Sequence, residues 1–336
     1  MNILNDRRIT KPLFLGNVQV GGNAPITVQS MTKTDTRDVR ATVQQILELE
    51  DVGCEIVRCA VPDFQSAQAL KEIKKQIHIP LVADIHFHYQ LALESIKSGV
   101  DCLRLNPGNI RDRDKVELIV NEAKTRNIPI RIGVNFGSLP PINGIGLTKG
   151  LSRHNDGVNK LPNDTDESNT QYSIVDHMVK TALWEISILE SLDFDLIKIS
   201  MKAFDISTTI KAYERISKLV PYPLHLGITE AGTFHSGSIR SAIGIGSLLY
   251  SGIGDTLRVS LSDDPTKEVS TGIEILKSLG LSKSGAILVA CPSCGRADVD
   301  IRTLANQIDE IINCLLYTSD AADEGLGVDL GGRRII

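Results

Sequence analysis

From residue 26 onward the chain repeats one unit, a short apolar run rich in β-forming residues followed by an amphipathic helical stretch. The runs fall at 26–31, 56–61, 80–86, 102–107, 129–135, 196–202, 223–229 and 256–261. Helical periodicity follows each, at 39–51, 66–75, 90–98, 113–126, 174–191, 207–219, 238–250 and 267–279. Strict alternation of this kind predicts parallel strands joined by crossover helices. Eight units are the number that closes a (β/α)8 TIM barrel, in about 250 residues. The rival α/β arrangement, an open doubly wound sheet, would carry a G-x-G-x-x-G turn after its first strand, and none is present.

Composition fits a globular chain with such a core: 42% hydrophobic and 23% charged residues. A formal net charge of −5 argues against a nucleic-acid partner. No window approaches the roughly 20 apolar residues of a membrane span, and residues 1–11 are polar, so the expectation is a cytoplasmic protein with no membrane partner. Six cysteines do not make a disulfide scaffold in a chain of this length. Cys54, Cys59 and Cys102 stand singly in apolar surroundings and read as buried thiols. Cys291 and Cys294 form a C-x-x-C pair.

Two segments stand outside the repeat. Residues 12–22 read as a small hairpin placed to close the barrel's bottom. Residues 139–170, rich in Asn, Gly, Pro and Asp, read as a long loop on the face where barrel active sites lie; lid and disordered segment remain equal readings. The barrel is therefore expected over 1–281. Residues 282–313, an apolar run, the C-x-x-C pair and a helix near 302–312, read as the start of a small second α/β domain.

Strands of a parallel barrel are buried on both faces and are normally unbroken apolar runs. Here Arg58, Arg104, Arg131, Lys198, Lys202, His225 and Arg258 interrupt them. Side chains alternate along a strand. Arg104 thus shares a face with Asn106, Arg131 with Asn135, Lys198 with Ser200 and Lys202, and Arg258 with Ser260, while the other parity is apolar. The apolar side must meet the helices, so the polar side points inward. An unpaired buried cation costs several kcal/mol. Asp35, Asp84 and Glu230 are too few to balance the set, so a bound polyanion is the expected counter-charge.

Asp84 and His86 end the third run and Glu230 ends the seventh, positions where barrel catalytic residues gather. With His225 they are the candidate acid–base groups. Cys291 and Cys294 have the spacing of half a metal site, shared by iron–sulfur, zinc and dithiol redox centres.

The motifs APITVQSMT (24–32), VADIHF (82–87), DCLRLNPGNI (101–110), IPIRIGVN (128–135), PLHLGITEAG (223–232), GIGDTLRVSL (252–261) and ACPSCGR (290–296) resemble those of the 4-hydroxy-3-methylbut-2-en-1-yl diphosphate synthases of the methylerythritol phosphate pathway. The resemblance runs through almost all of 10–312. It implies reductive ring opening and dehydration of 2-C-methyl-D-erythritol 2,4-cyclodiphosphate to 4-hydroxy-3-methylbut-2-enyl diphosphate. It also implies a [4Fe–4S] cluster held in part by Cys291 and Cys294, flavodoxin or ferredoxin as electron donor, and a homodimer. Arg58, Arg104, Arg131, Lys202, His225, Arg258 and Ser260 fall in motifs lining the family's substrate site, and Glu230 is the implied proton donor.

One departure stands out. The family's third cysteine and its glutamate ligand lie in a GCVVNGPGE-type stretch, which is missing here, and Cys314 sits in a different context. The expectation is that the cluster domain stops near residue 313 and that 314–336 is a non-native or disordered tail. Two alternatives follow: a catalytically incompetent chain that still binds the cyclodiphosphate, or a cluster-independent barrel transferase resembling pterin synthases.

Overall fold

The computed structural model describes residues 7–86, 88–110, 112–140, 174–282, 287–292 and 299–319. A hairpin of β1 (Leu13–Leu15) and β2 (Val18–Val20) opens the chain. Eight parallel strands follow: β3 (Thr27–Met31), β4 (Ile56–Ala60), β5 (Leu81–Asp84), β6 (Cys102–Arg104), β7 (Ile130–Asn135), β8 (Ile197–Lys202), β9 (His225–Leu226) and β10 (Thr256–Leu257). Their order runs from β8 back through β3 and on to β10 and β9, and an Ile199–Leu224 bridge joins β8 to β9 and closes the ring. The eight expected strands are all present. β9 and β10 are shorter than their apolar runs, and beside them a Cβ on Gly227 would lie 2.7 Å from the Arg258 carbonyl oxygen.

The crossover helices are α1 (Val39–Asp51), α2 (Phe64–Lys74), α3 (Tyr89–Lys97), α4 (Arg113–Thr125), α5 (Ile174–Glu190), α6 (Ile206–Ile216), α7 (Phe234–Tyr250) and α8 (Pro265–Ser278). An aspartate starts many of them. Asp38, Asp63, Asp112, Asp205 and Asp264 each accept a backbone N–H in the first turn of α1, α2, α4, α6 and α8, which satisfies donors the helix leaves unpaired. The core lies between helices and strands, where the outward residues Val57, Cys59, Ala83, Leu103, Ile132 and Ile199 are buried. Cys54, Cys59 and Cys102 are buried thiols. Leu13, Leu15 and Val20 of the hairpin pack with Ile56, Val82 and Cys102, at the N-terminal ends of β4, β5 and β6, so the hairpin seals the bottom.

The chain divides into two compact units, Met1–Ser282 and Lys283–Ile336. In the second, 287–292 has no regular structure, and α9 (Ile301–Ser319) begins where Asp300 accepts the Thr303 N–H at 3.1 Å. This helix was expected near 302–312; it continues through Ser319, into residues expected to lie outside the domain. Nearly all of the expected loop 139–170, Cys294, and residues 320–336 lie outside the described residues.

Candidate functional site

Strand register fixes the height of every inward side chain. Carried around the ring, it sets Arg58, Arg104, Ser200 and Arg258 in one tier. Beneath them come Gln29, Val82, Arg131 and His225, and lowest Ile56, Cys102, Lys198 and Thr256. Each tier takes four residues from alternate strands, as barrel interiors do.

Above the Arg58 tier stand Met31, Asp84, Gly133 and Gly227. The two glycines make room for cations. A Cβ on Gly133 would lie 2.8 Å from Arg104 Nε, and one on Gly227 would lie 2.7 Å from Lys202 Nζ. A cavity opens here at the C-terminal ends of the strands. Arg58, Arg104, Arg131, Lys202 and Arg258 supply its cations; Asn135, Ser200, Thr229 and Ser260 supply neutral polar groups, with Ile228 beside them.

The cations are unevenly neutralised. Asp84 sits 3.5 Å from Arg58 Nε and 3.4 Å from Arg104 Nη1. Burial alone would raise its carboxyl, but the two arginines outweigh that and hold it below its ordinary value. Arg258 meets the buried Glu268 of α8 at 3.2 Å, and that carboxylate also accepts the Leu261 N–H and pairs with Lys33. Among the described residues Arg131 pairs with no acid: it is 2% exposed, its Nε and Nη1 have no hydrogen-bond partner, and Asp84 acts on it only from a distance. Lys202 is pushed well below its ordinary value, by burial first and then by Arg131, Arg258, Arg58 and Arg104. An anion in the cavity would reverse that shift.

The remaining candidates divide. Asn106 does not line the cavity; its amide donates to the Gly133 carbonyl at 2.9 Å and accepts the Gly133 N–H at 2.8 Å, fixing β7 beside β6. His225 and Lys198, expected at the mouth, are fully buried in the two tiers below it. His225 shares a 2.7 Å hydrogen bond between Nδ1 and Thr256 Oγ1, and burial with the cations Arg131, Lys202 and Lys198 keeps its ring neutral. Asp84 neutralises arginines rather than facing the cavity. His86 lies past the end of β5 on an exposed bend, outside the cavity lining. Glu230 is exposed just beyond Thr229 with φ of 53°, a left-handed conformation that costs a glutamate of order 1 kcal/mol. Strain at a strand's catalytic end marks it as a functional candidate.

Cys291 is exposed. Among the described residues no three His, Cys, Asp or Glu side chains stand together as a metal site. No described helix is long and apolar enough to cross a membrane.

Sequence reasoning missed two acids. Glu268 was passed over, yet it shares the buried face of α8 with Gly272 and Ile275. Glu185 of α5 accepts the Gly108 N–H at 2.6 Å beneath the turn that follows β6, and burial pushes its carboxyl up to about 7. Both stand on otherwise apolar helix stripes, a signal visible in the sequence.

Fold and site together define a (β/α)8 barrel whose mouth is a polar cavity lined by five cations. Residues 10–273 match the GcpE TIM-barrel domain. A 4-hydroxy-3-methylbut-2-en-1-yl diphosphate synthase (flavodoxin) of Dehalococcoides mccartyi is 54% identical over 307 residues, 91% of this chain and 81% of that protein. One from Bacillus cytotoxicus is 49% identical over 329 residues, 98% of this chain and 83% of that protein. The chain belongs to the 4-hydroxy-3-methylbut-2-en-1-yl diphosphate synthase family. Among solved structures, a dihydropteroate synthase from Xanthomonas albilineans superposes with TM-score 0.52 at 12% identity, covering 81% of this chain and 98% of that one. A Plasmodium falciparum HPPK-DHPS structure gives 0.54 at 13%, covering 81% and 50%. That likeness is one of fold.

Proposed function

We propose that this chain reductively opens 2-C-methyl-D-erythritol 2,4-cyclodiphosphate to 4-hydroxy-3-methylbut-2-enyl diphosphate, an oxidoreductase step of isoprenoid biosynthesis. The observation that carries the reading is the cavity: five cations converge at the barrel mouth, and Arg131 forms no ion pair among the described residues. A cyclic diphosphate supplies the missing charge and the oxygen acceptors. Arg58, Arg104, Arg131, Lys202 and Arg258 clamp its phosphates, while Asn135, Ser200, Thr229 and Ser260 give neutral donors. As the ring C–O bond breaks, charge gathers on the departing phosphate oxygen, and the same cations already point there. Glu230, held at the rim by its strained backbone, is the proton donor for the hydroxyl lost as water.

A [4Fe–4S] cluster, held in part by Cys291 and Cys294 and served by flavodoxin or ferredoxin, would supply the electrons. Of that ligand set the described residues contribute one exposed thiol, Cys291, which by itself does not complete a site. The geometry therefore speaks to the substrate end of the reaction. A cytoplasmic homodimer completes the reading, supported by the apolar side chains of Ile239, Ile243 and Tyr250 exposed along one face of α7.

The test is to titrate the full chain with the cyclodiphosphate and then add reduced flavodoxin. Binding that weakens with salt, followed by product, is the expected result. Binding without turnover would identify a substrate-holding chain with an incomplete redox centre. Failure to bind would overturn the reading.

A further inference from the structure

The cavity accounts for five of the six cations the strands carry inward; the sixth is Lys198. It lies in the lowest tier, paired in register with Arg131 across β7 and β8, and it is fully buried. Its Nζ has no hydrogen-bond partner. The tier above repeats the pattern: Gln29 leaves both amide atoms unpartnered, His225 its Nε2, and Arg131 its Nε and Nη1. Unpartnered buried polar atoms are rare in folded proteins. Here those of Arg131, at the cavity floor, and of Gln29, His225 and Lys198 fall in two adjacent tiers of one barrel interior.

No acid is matched to Lys198. The charged and titratable groups that act on it are Cys102, Arg131, Asp255, Arg58 and His225. Asp255 is already engaged by Arg7, Thr10 and the Leu224 N–H. The Cys102 thiol is raised by burial and stays neutral. His225 is neutral too, and the two arginines repel an ammonium. A charge on Lys198 is thus uncompensated until negative charge arrives from above.

We propose that Lys198 is the inner cation of the anion site: a diphosphate seated in the mouth draws a proton from solvent onto the Lys198 amine, and the ammonium so formed holds the diphosphate from beneath. This deepens the polyanion reading of the mouth and rests on it. The direction of the charge balance agrees. Burial above all, with Arg131 and Arg58 adding to it and Cys102 and Asp255 opposing, pushes the amine down to about 8. Near that pH a large fraction of ligand-free molecules carries no charge there. A polyanion raises the value, so binding takes up the missing proton.

Calorimetry of inorganic pyrophosphate binding at pH 8.5, in two buffers of different ionisation enthalpy, reads this directly. The full wild-type chain is compared with K198M, whose side chain is apolar and of similar length. The ligand's own proton exchange is common to both. Wild type is expected to take up roughly half a proton more per pyrophosphate than K198M, and to bind it about tenfold more tightly at pH 7. Equal proton counts and equal affinities would overturn the proposal. Sulfate, which does not titrate in this range, gives a second arm with K202M, from which the other lowered amine of the anion site is removed. Proton uptake on sulfate binding is expected, and its absence sinks the idea even if K198M does not fold. No pyrophosphate binding by wild type at any pH would instead remove the polyanion reading itself.

Discussion

Two sides of the barrel interior carry the same kinds of side chain and treat them differently. On β4 to β6, Arg58 and Arg104 flank Asp84, and one carboxylate answers half of their charge within the fold. On β7 to β9, Arg131, Lys198 and His225 are deeply buried and none forms an ion pair among the described residues; Asp84 and Asp255 act on Arg131 and Lys198 only from a distance. The first arrangement makes cations a structural element that survives without ligand. The second leaves stability unclaimed until an anion binds. The difference shows that a site can be pre-formed on one side and hungry for ligand on the other, with a single carboxylate deciding which.

That comparison can be broken most severely at Asp84. Asp84→Ala strips the counter-charge from two buried arginines and should cost about 3–5 kcal/mol in urea unfolding; saturating pyrophosphate should recover part of it. If stability is untouched, the paired side is not paired in any energetic sense. Acid sharpens the same point. The Asp84 carboxyl is lowered in the folded state, so its contribution is present above the ordinary carboxylate range and fades as pH falls through the lower folded value. Asp84→Asn should flatten that limb of a stability–pH curve.

Arg131→Met attacks the unpaired side. It should weaken pyrophosphate binding by about 1.5–3 kcal/mol, the usual worth of a hydrogen bond to a charged group, and leave the melting temperature of the ligand-free chain equal or higher. A large loss of stability without ligand would contradict the contrast. Asn106→Ala should cost about 1–3 kcal/mol, because the buried Gly133 N–H loses its side-chain acceptor while the Gly133 carbonyl keeps the 3.3 Å bond from Arg104 Nη2. The smallest effect is expected at Asp38, far from the cations. Asp38→Ala removes the α1 cap for about 1 kcal/mol and should leave pyrophosphate affinity unchanged.

The barrel was legible in the sequence because its signal is repeated eight times, and the inward set because strand parity is a period of two. Height inside the barrel was not legible. Lys198 and Lys202 lie on the same face of β8 and look equivalent along the chain. Only the register with neighbouring strands sends one to the floor and the other to the mouth. Asp84 was visible at its strand end, but its engagement with Arg58 and Arg104 depends on contacts between residues twenty or more positions apart. Glu268 escaped because an acid on a helix reads as solvent-facing by habit, although Gly272 and Ile275 share its stripe.

Between β8 and β9 the described residues pair at the Ile199–Leu224 bridge, with the Thr229 N–H donating to the Ala203 carbonyl at 3.4 Å further along, and Tyr213 of α6 reinforces the seam. The Tyr213 hydroxyl donates to the His225 carbonyl and accepts the Met201 N–H at 2.9 Å. One phenol on an outer helix thus fastens the two ends of an eight-stranded sheet. A ring with one thinly paired seam has a preferred place to come undone. Amide protons flanking that seam should exchange before those of β4 and β5, and Tyr213→Phe should bring the exchange forward there while leaving the far wall slow.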